Sequence, residues 1–235
     1  MKSTNVLELK NLQKQYGKVQ ALRRVDLCLG HGIHALLGPN GSGKTTLMNI
    51  LAGLLKPPAG EVLYRGKRID KWGEDYRARL GYMPQYPALY PTFTVMEMML
   101  YVAELKGLPR NSDRQIESLL ARVELSDVFD RRISALSGGM KQRLSLCTAV
   151  LGDPEILILD EPTAGLDPRQ RVVLRDFISE IGQDRTVLWA THIVSDVESI
   201  AHNIIFMKKG EATLMPREKC ESLESTYLSF FGDVL

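Results

Sequence analysis

Three short apolar-rich stretches in the first part of the chain, Val6 to Leu12, Val25 to Leu29 and Glu61 to Tyr64, are separated by turn signals such as Tyr16-Gly17-Lys18 and Arg65-Gly66-Lys67. They predict strands in an antiparallel layer. From Ile33 the pattern changes to an apolar run through Leu37, a glycine-rich loop, and a segment whose Leu47, Met48, Ile50, Leu51 and Leu54 recur at helical spacing. Strand and helix patterns alternate again at Ile156 to Leu159, Arg169 to Ile181, Val187 to Ala190 and Ile204 to Met207. Such alternation predicts a mostly parallel sheet with helices on both faces. Between these blocks, Tyr86 to Ala135 reads as helical, with helices over Val95–Lys106 and Arg114–Val123, and Met96, Met98 and Met99 as core filler. The expected organisation is one α/β domain over residues 1–235, with a core from 1–85 and 136–235 and an inserted helical subdomain at 86–135.

Composition narrows the choice of partners. The 235 residues are 44% hydrophobic and 25% charged, enough for a large core and against disorder. A formal net charge of +2 gives no field for nucleic acid, and the pairs Arg23-Arg24, Arg131-Arg132 and Lys208-Lys209 read as solvated surface. Cys28, Cys147 and Cys220 lack metal-ligand spacing. The apolar surroundings of Cys28 and Cys147 predict buried small hydrophobes in a reducing compartment, hence a cytosolic location. The stretch Met1 to Lys10 has no apolar signal core, and no run approaches the roughly eighteen apolar residues of a spanning helix. Direct membrane insertion is not expected; a membrane role would come through a partner.

The candidate chemistry lies in three segments. Gly38-Pro39-Asn40-Gly41-Ser42-Gly43-Lys44-Thr45 follows a strand and opens a helix, the arrangement in which backbone N–H groups converge on phosphate oxygens. Lys44 would reach the β and γ phosphates, and the Thr45 hydroxyl would serve Mg²⁺. Asp160 and Glu161 end the apolar run Ile156 to Leu159, and ligands of parallel sheets bind beyond the carboxyl ends of strands. Asp160 would hold the metal through water and Glu161 would polarise an attacking water. Ser137, Gly138 and Gly139 stand at a helix start, a second anion site of N–H groups and positive dipole.

In their order and spacing these segments resemble the nucleotide-binding subunit of an ATP-binding cassette transporter over essentially the whole chain. Gly38 to Thr45 is similar to the family's Walker A loop, Ile156 to Glu161 to its Walker B strand, and Leu136 to Met140 to its signature. Ala164 to Asp167 looks like the D-loop, Tyr82 to Gln85 the Q-loop, Ala190 to His192 the switch-histidine region, and Tyr16 the adenine-stacking aromatic. Met140 replaces the usual glutamine and Ala164 a frequent serine; neither removes a phosphate-contacting group.

The resemblance implies a P-loop NTPase core that hydrolyses ATP with Mg²⁺. Glu161, His192, Gln85 and Lys44 are then catalytic, and Thr45, Gln85 and Asp160 serve the metal. Tyr16, Gly38 through Thr46, Ser137 to Gly139 and Asp167 bind ATP. It further implies head-to-tail pairing with a second cassette, identical or different. An integral membrane permease completes the expected assembly on the cytoplasmic face of the membrane. Tyr86, Leu89, Tyr90 and Phe93 form the expected docking surface. The C-terminal stretch Ser222 to Gly232 and the signature resemble the exporter group. A cassette ATPase of DNA maintenance would need a long coiled-coil insertion between Gln85 and Ser137, and a translation factor usually has two motif sets where this chain has one.

Overall fold

Every residue of the runs at 32–37, 156–160 and 186–191 is buried, because each forms a strand covered on both faces. The computed structural model describes residues 6–109 and 112–232. In chain order its first elements are β1 (Leu7–Tyr16), β2 (Val19–Leu29), β3 (Gly32–Leu37), α1 (Lys44–Leu51), β4 (Ala59–Tyr64) and β5 (Lys67–Arg68). There follow α2 (Glu74–Ala78), β6 (Leu80–Met83), α3 (Val95–Leu105), α4 (Asp113–Arg122), α5 (Gly138–Val150) and β7 (Ile156–Asp160). The chain continues through α6 (Pro168–Ile181), β8 (Thr186–Thr191), α7 (Val194–Val197), β9 (Asn203–Lys208), β10 (Glu211–Pro216) and α8 (Leu223–Phe231).

Two sheets result. One is antiparallel, in the order β2-β1-β4-β5; the other runs β10-β9-β3-β8-β7-β6, parallel except for β10. Alternation along the parallel strands divides the interior. Leu36, Ile158, Leu188 and Ile205 face α1 and the antiparallel layer, where Leu47, Met48, Leu9 and Leu22 meet them. Leu37, Leu159, Trp189 and Phe206 face the opposite way, onto Leu144, Leu174, Phe177 and Phe231. The α/β sandwich read from the sequence is thus the observed one.

The helical stretch contains α3 and α4, close to their predicted spans. Thr94 starts α3 with a reciprocal capping box to Glu97, worth about 1 kcal/mol. Met98 and Met99 are buried against Ile116, Leu119 and Leu120, and Met96 is partly buried beside them, so the three methionines do fill core. Some expectations differ from the structure. Strand β2 begins at Val19, well before Val25, because the hairpin ladder continues to the Tyr16–Val19 pair across Gly17. Strand β10 and helix α8 carry weak sequence patterns, the former being a half-exposed edge. Cys28 is exposed, not buried: it alternates with buried Leu27 and Leu29 and faces outward opposite Glu8. Cys147 is buried as expected. Residues 1–5, half of the stretch read for a signal core, lie outside the described residues.

Candidate functional site

Register brings the candidate residues to one edge of the parallel sheet. Leu37 pairs with Thr191, Ala190 with Asp160, and Leu159 with Met83. Gly38, His192, Glu161 and the Pro84-Gln85 turn therefore leave the sheet side by side, beyond the carboxyl ends of β3, β8, β7 and β6. This is where ligands bind in open α/β sheets.

The loop from Gly38 to Gly43 is wedged between neighbours. A Cβ on Gly38 would stand 2.3 Å from the Met207 carbonyl and 2.9 Å from Ser42 Oγ, and one on Gly43 would stand 2.4 Å from the Ala21 carbonyl. Gly43 also has φ of 112°, open to glycine and strained for other residues. Pro39 is half-buried, Asn40 and Gly41 are exposed, and Ser42 Oγ is buried without a partner. Helix α1 starts with no side-chain cap and no acid in its first turn, which leaves its N–H groups to an anion. Lys44 Nζ donates to the Gly38 and Pro39 carbonyls at 2.6 and 3.1 Å. Burial lowers the Lys44 pKa, while Glu161 and Asp160 draw it back up. Thr45 is exposed and Thr46 half-buried on the same turn.

Opposite the loop sit the carboxylates. Asp160 is buried, and its pKa is pushed up to about 6, first by desolvation and then by Glu161, against the pull of Lys44. The fold thus favours the neutral form. That benefit is full below the ordinary carboxylate range, about pH 4, and is lost as pH rises through about 6. Asp160→Asn is expected to melt about 2–4 °C above the parent at neutral pH without nucleotide, the gain vanishing near pH 4. Calorimetry across that range checks it; equal melting at neutral pH would contradict it. Glu161 Oε1 lies 2.8 Å from His192 Nδ1, and its Oε2 accepts from Thr191 Oγ1 at 3.2 Å. Its N–H donates to the Ala190 carbonyl at 2.9 Å.

The remaining candidates stand apart. Ser137 caps α5, its Oγ accepting from Met140 N–H at 3.2 Å; Ser137 and Gly138 are exposed. Gly139 is packed so closely on α6 that a Cβ would lie 2.8 Å from Gln170 Oε1. Asp167 caps α6 through the Gln170 N–H at 2.9 Å and is exposed. Tyr16, half exposed, ends β1 with Lys14 Nζ 5.2 Å from its ring centre, and Gln85 is exposed. Among the described residues, no hydrogen bond or ion pair joins Ser137–Gly139, Asp167, Tyr16 or Gln85 to the loop at 38–46. The sequence pattern does not single out two buried contacts near the site, Gln142 Nε2 to the Glu161 carbonyl and Thr163 to Asp196. For Gln142 the available signal was a polar side chain at a buried position of helix α5.

Residues 22–164 match the family model described as ABC transporter. The chain is 39% identical over 209 residues to the "Uncharacterized ABC transporter ATP-binding protein YxlF" of Bacillus subtilis (strain 168), covering 88% of this chain and 69% of that protein. It is 36% identical to the Nod factor export ATP-binding protein I of Paraburkholderia xenovorans (strain LB400), covering 87% and 68%. The lantibiotic transport ATP-binding protein SrtF of Streptococcus pyogenes is 34% identical, with 94% and 96% covered. A solved ATP-binding subunit of an ABC transporter superposes with a TM-score of 0.87 at 28% identity, over 95% of this chain and 98% of that one. The chain belongs to the ABC transporter family, as an ATP-binding subunit with ATPase activity. Among its described residues no helix is long and apolar enough to cross a membrane.

Proposed function

We propose that this chain drives export through a separately encoded permease by closing head to tail on a second cassette around two ATP molecules. The observation that carries the reading is the division of the site. Cradle, carboxylates and histidine share one sheet edge, while Ser137 and Gly138 present a capped, exposed helix start that, among the described residues, no hydrogen bond or ion pair joins to the loop at 38–46 of their own subunit. Such N–H groups gain a partner when a triphosphate held by a mate stands opposite them, so closure depends on the γ-phosphate. Residues 86–135 act as the arm that carries this motion, within a single domain.

In this reading Gly38 to Thr46 bind the phosphates and Lys44 leaves the loop carbonyls for the β and γ oxygens. Tyr16 stacks on adenine, and Asp167 and Gln85 border the γ-phosphate. Glu161 takes the proton of the attacking water; His192, already on its carboxylate, orients it and contacts the γ-phosphate. The residues fit Mg²⁺. Thr45 offers an exposed hydroxyl, the Asp160 pKa stays raised despite the pull of Lys44, and no cluster of three His, Cys, Asp or Glu among the described residues could hold a metal unaided. That composition suits an ion shared with phosphate and water. Thr45, Asp160 and Gln85 would hold it, and it would supply charge neutralisation on the phosphates.

The permease surface lies just after Gln85. Tyr86 is 83% and Tyr90 47% exposed, while Leu89 and Phe93 are partly buried against the core, so only part of the predicted cluster is free. The rings of Tyr90, Phe93 and Tyr101 pack mutually at 5.1 to 5.7 Å, which presents a preformed aromatic face. The name of one relative, a Nod factor export ATP-binding protein, supports the outward direction. Copurification from detergent-solubilised membranes, on the cytoplasmic face of which the assembly sits, tests the reading. The chain is expected to bring down one hydrophobic subunit, and Tyr86→Asp with Tyr90→Asp to reduce its recovery at least about tenfold with ATP affinity unchanged. Undiminished recovery would remove the docking face.

A further inference from the structure

Glu161 is held at every polar atom, by three separate parts of the chain. Beyond its bonds to Ala190, Thr191 and His192, its carbonyl accepts from Ala164 N–H at 3.0 Å and from Gln142 Nε2 at 2.9 Å. Its φ is 50°, a left-handed conformation that a residue with a side chain keeps only where its surroundings hold it. The peptide that sets the direction of this carboxylate is therefore fixed by neighbours outside β7.

One of those neighbours belongs to the signature helix. Gln142 is 6% exposed, on a helix that also buries Leu144, Leu146, Cys147 and Val150. A buried amide is retained at a cost unless its donors are used, and here the donor goes to the Glu161 carbonyl. The adjacent Arg143, equally buried, donates to the carbonyls of Val123 and Glu124 and ties α5 to the end of α4. Ser137 and Gln142 are five positions apart on one helix, about 8 Å along its axis, too short a rod to bend between them.

We propose that Gln142 is a positioning residue that couples the two nucleotide sites of the pair. Through it, capture of the mate's nucleotide by Ser137–Gly139 sets Glu161 over the nucleotide of its own subunit. The inference rests on the head-to-tail reading above. Its consequence is that neither site hydrolyses efficiently until α5 has been seated by the other, which makes turnover cooperative in ATP. The Ala164 N–H, at the start of the segment leading to Asp167, shares the same carbonyl, so that segment is fixed to the same peptide.

The test is steady-state MgATP hydrolysis by the full chain, alone and in its detergent-solubilised complex. Gln142→Met keeps the length and removes the donor; Gln142→Asn keeps the amide but withdraws it by one methylene. Both are expected to lower kcat about tenfold, with KM and the melting temperature nearly unchanged and the Hill coefficient falling toward 1. Gln142→Glu, which offers oxygen where the carbonyl needs a donor, is expected to lose more. Wild-type kcat and cooperativity in Gln142→Met would overturn the proposal. A joint fall of kcat, ATP affinity and melting temperature in Gln142→Met and Gln142→Asn would overturn it too, since a merely structural role does that. Glu161→Gln in the native background separates the readings. Wild-type turnover there removes the base assignment whatever Gln142 does; abolished turnover there beside full activity of Gln142→Met removes only the coupling.

Discussion

Glu161→Gln is expected to bind ATP as the parent does and to hydrolyse it about two to four orders of magnitude more slowly, the usual worth of a positioned base. The substitution is nearly isosteric. Its amide can still meet His192 and Thr191, which hold the carboxylate at 2.8 and 3.2 Å, so the geometry of the sheet edge survives while the capacity to take a proton is lost. Backbone bonds to Ala190, Ala164 and Gln142 are untouched. Single-turnover hydrolysis with a parallel binding titration separates the two effects. Parental turnover would mean that Glu161 is not the group that activates water.

Lys44→Ala is expected to lower kcat/KM by about 10²–10³, the usual cost of removing one preorganised donor to developing charge. Two losses combine in it. The cation that would meet the β and γ oxygens disappears, and the Gly38 and Pro39 carbonyls lose the ammonium that now spans them. Asp160 also loses a positive neighbour, since Lys44 opposes the rise of its pKa. Saturating nucleotide does not restore the rate, because the missing interaction is greatest in the transition state. Activity equal to the parent with MgATP in excess would count against the assignment of the loop.

The phosphate-loop half of the site was legible because its geometry is local. A buried strand, three glycines and an amphipathic helix follow one another within Ile33 to Leu54, and each local preference agrees with the next. The parallel sheet was legible for the same reason, since strands covered on both faces leave unbroken apolar runs. Features that depend on pairing partners were harder to read. Val19 to Arg24 join β2 only through the ladder to β1, and the outward direction of Cys28 follows from strand phase, which its apolar sequence neighbours conceal. Strand β10 is defined by its pairing with β9 rather than by its own pattern. The contact of Gln142 with Glu161 spans a helix and a strand distant in sequence, and no spacing rule reports it. Side chains that act across elements need the fold before they acquire meaning.

Sedimentation equilibrium of Glu161→Gln with and without saturating MgATP tests the central claim most directly, because hydrolysis is blocked and the closed state can accumulate. The account predicts a single-chain mass without nucleotide, a mass of two chains with MgATP, and return to one chain when Ser137→Arg is added to block the capped helix start. A single-chain mass under all conditions, or a dimer indifferent to both nucleotide and Ser137→Arg, would contradict it.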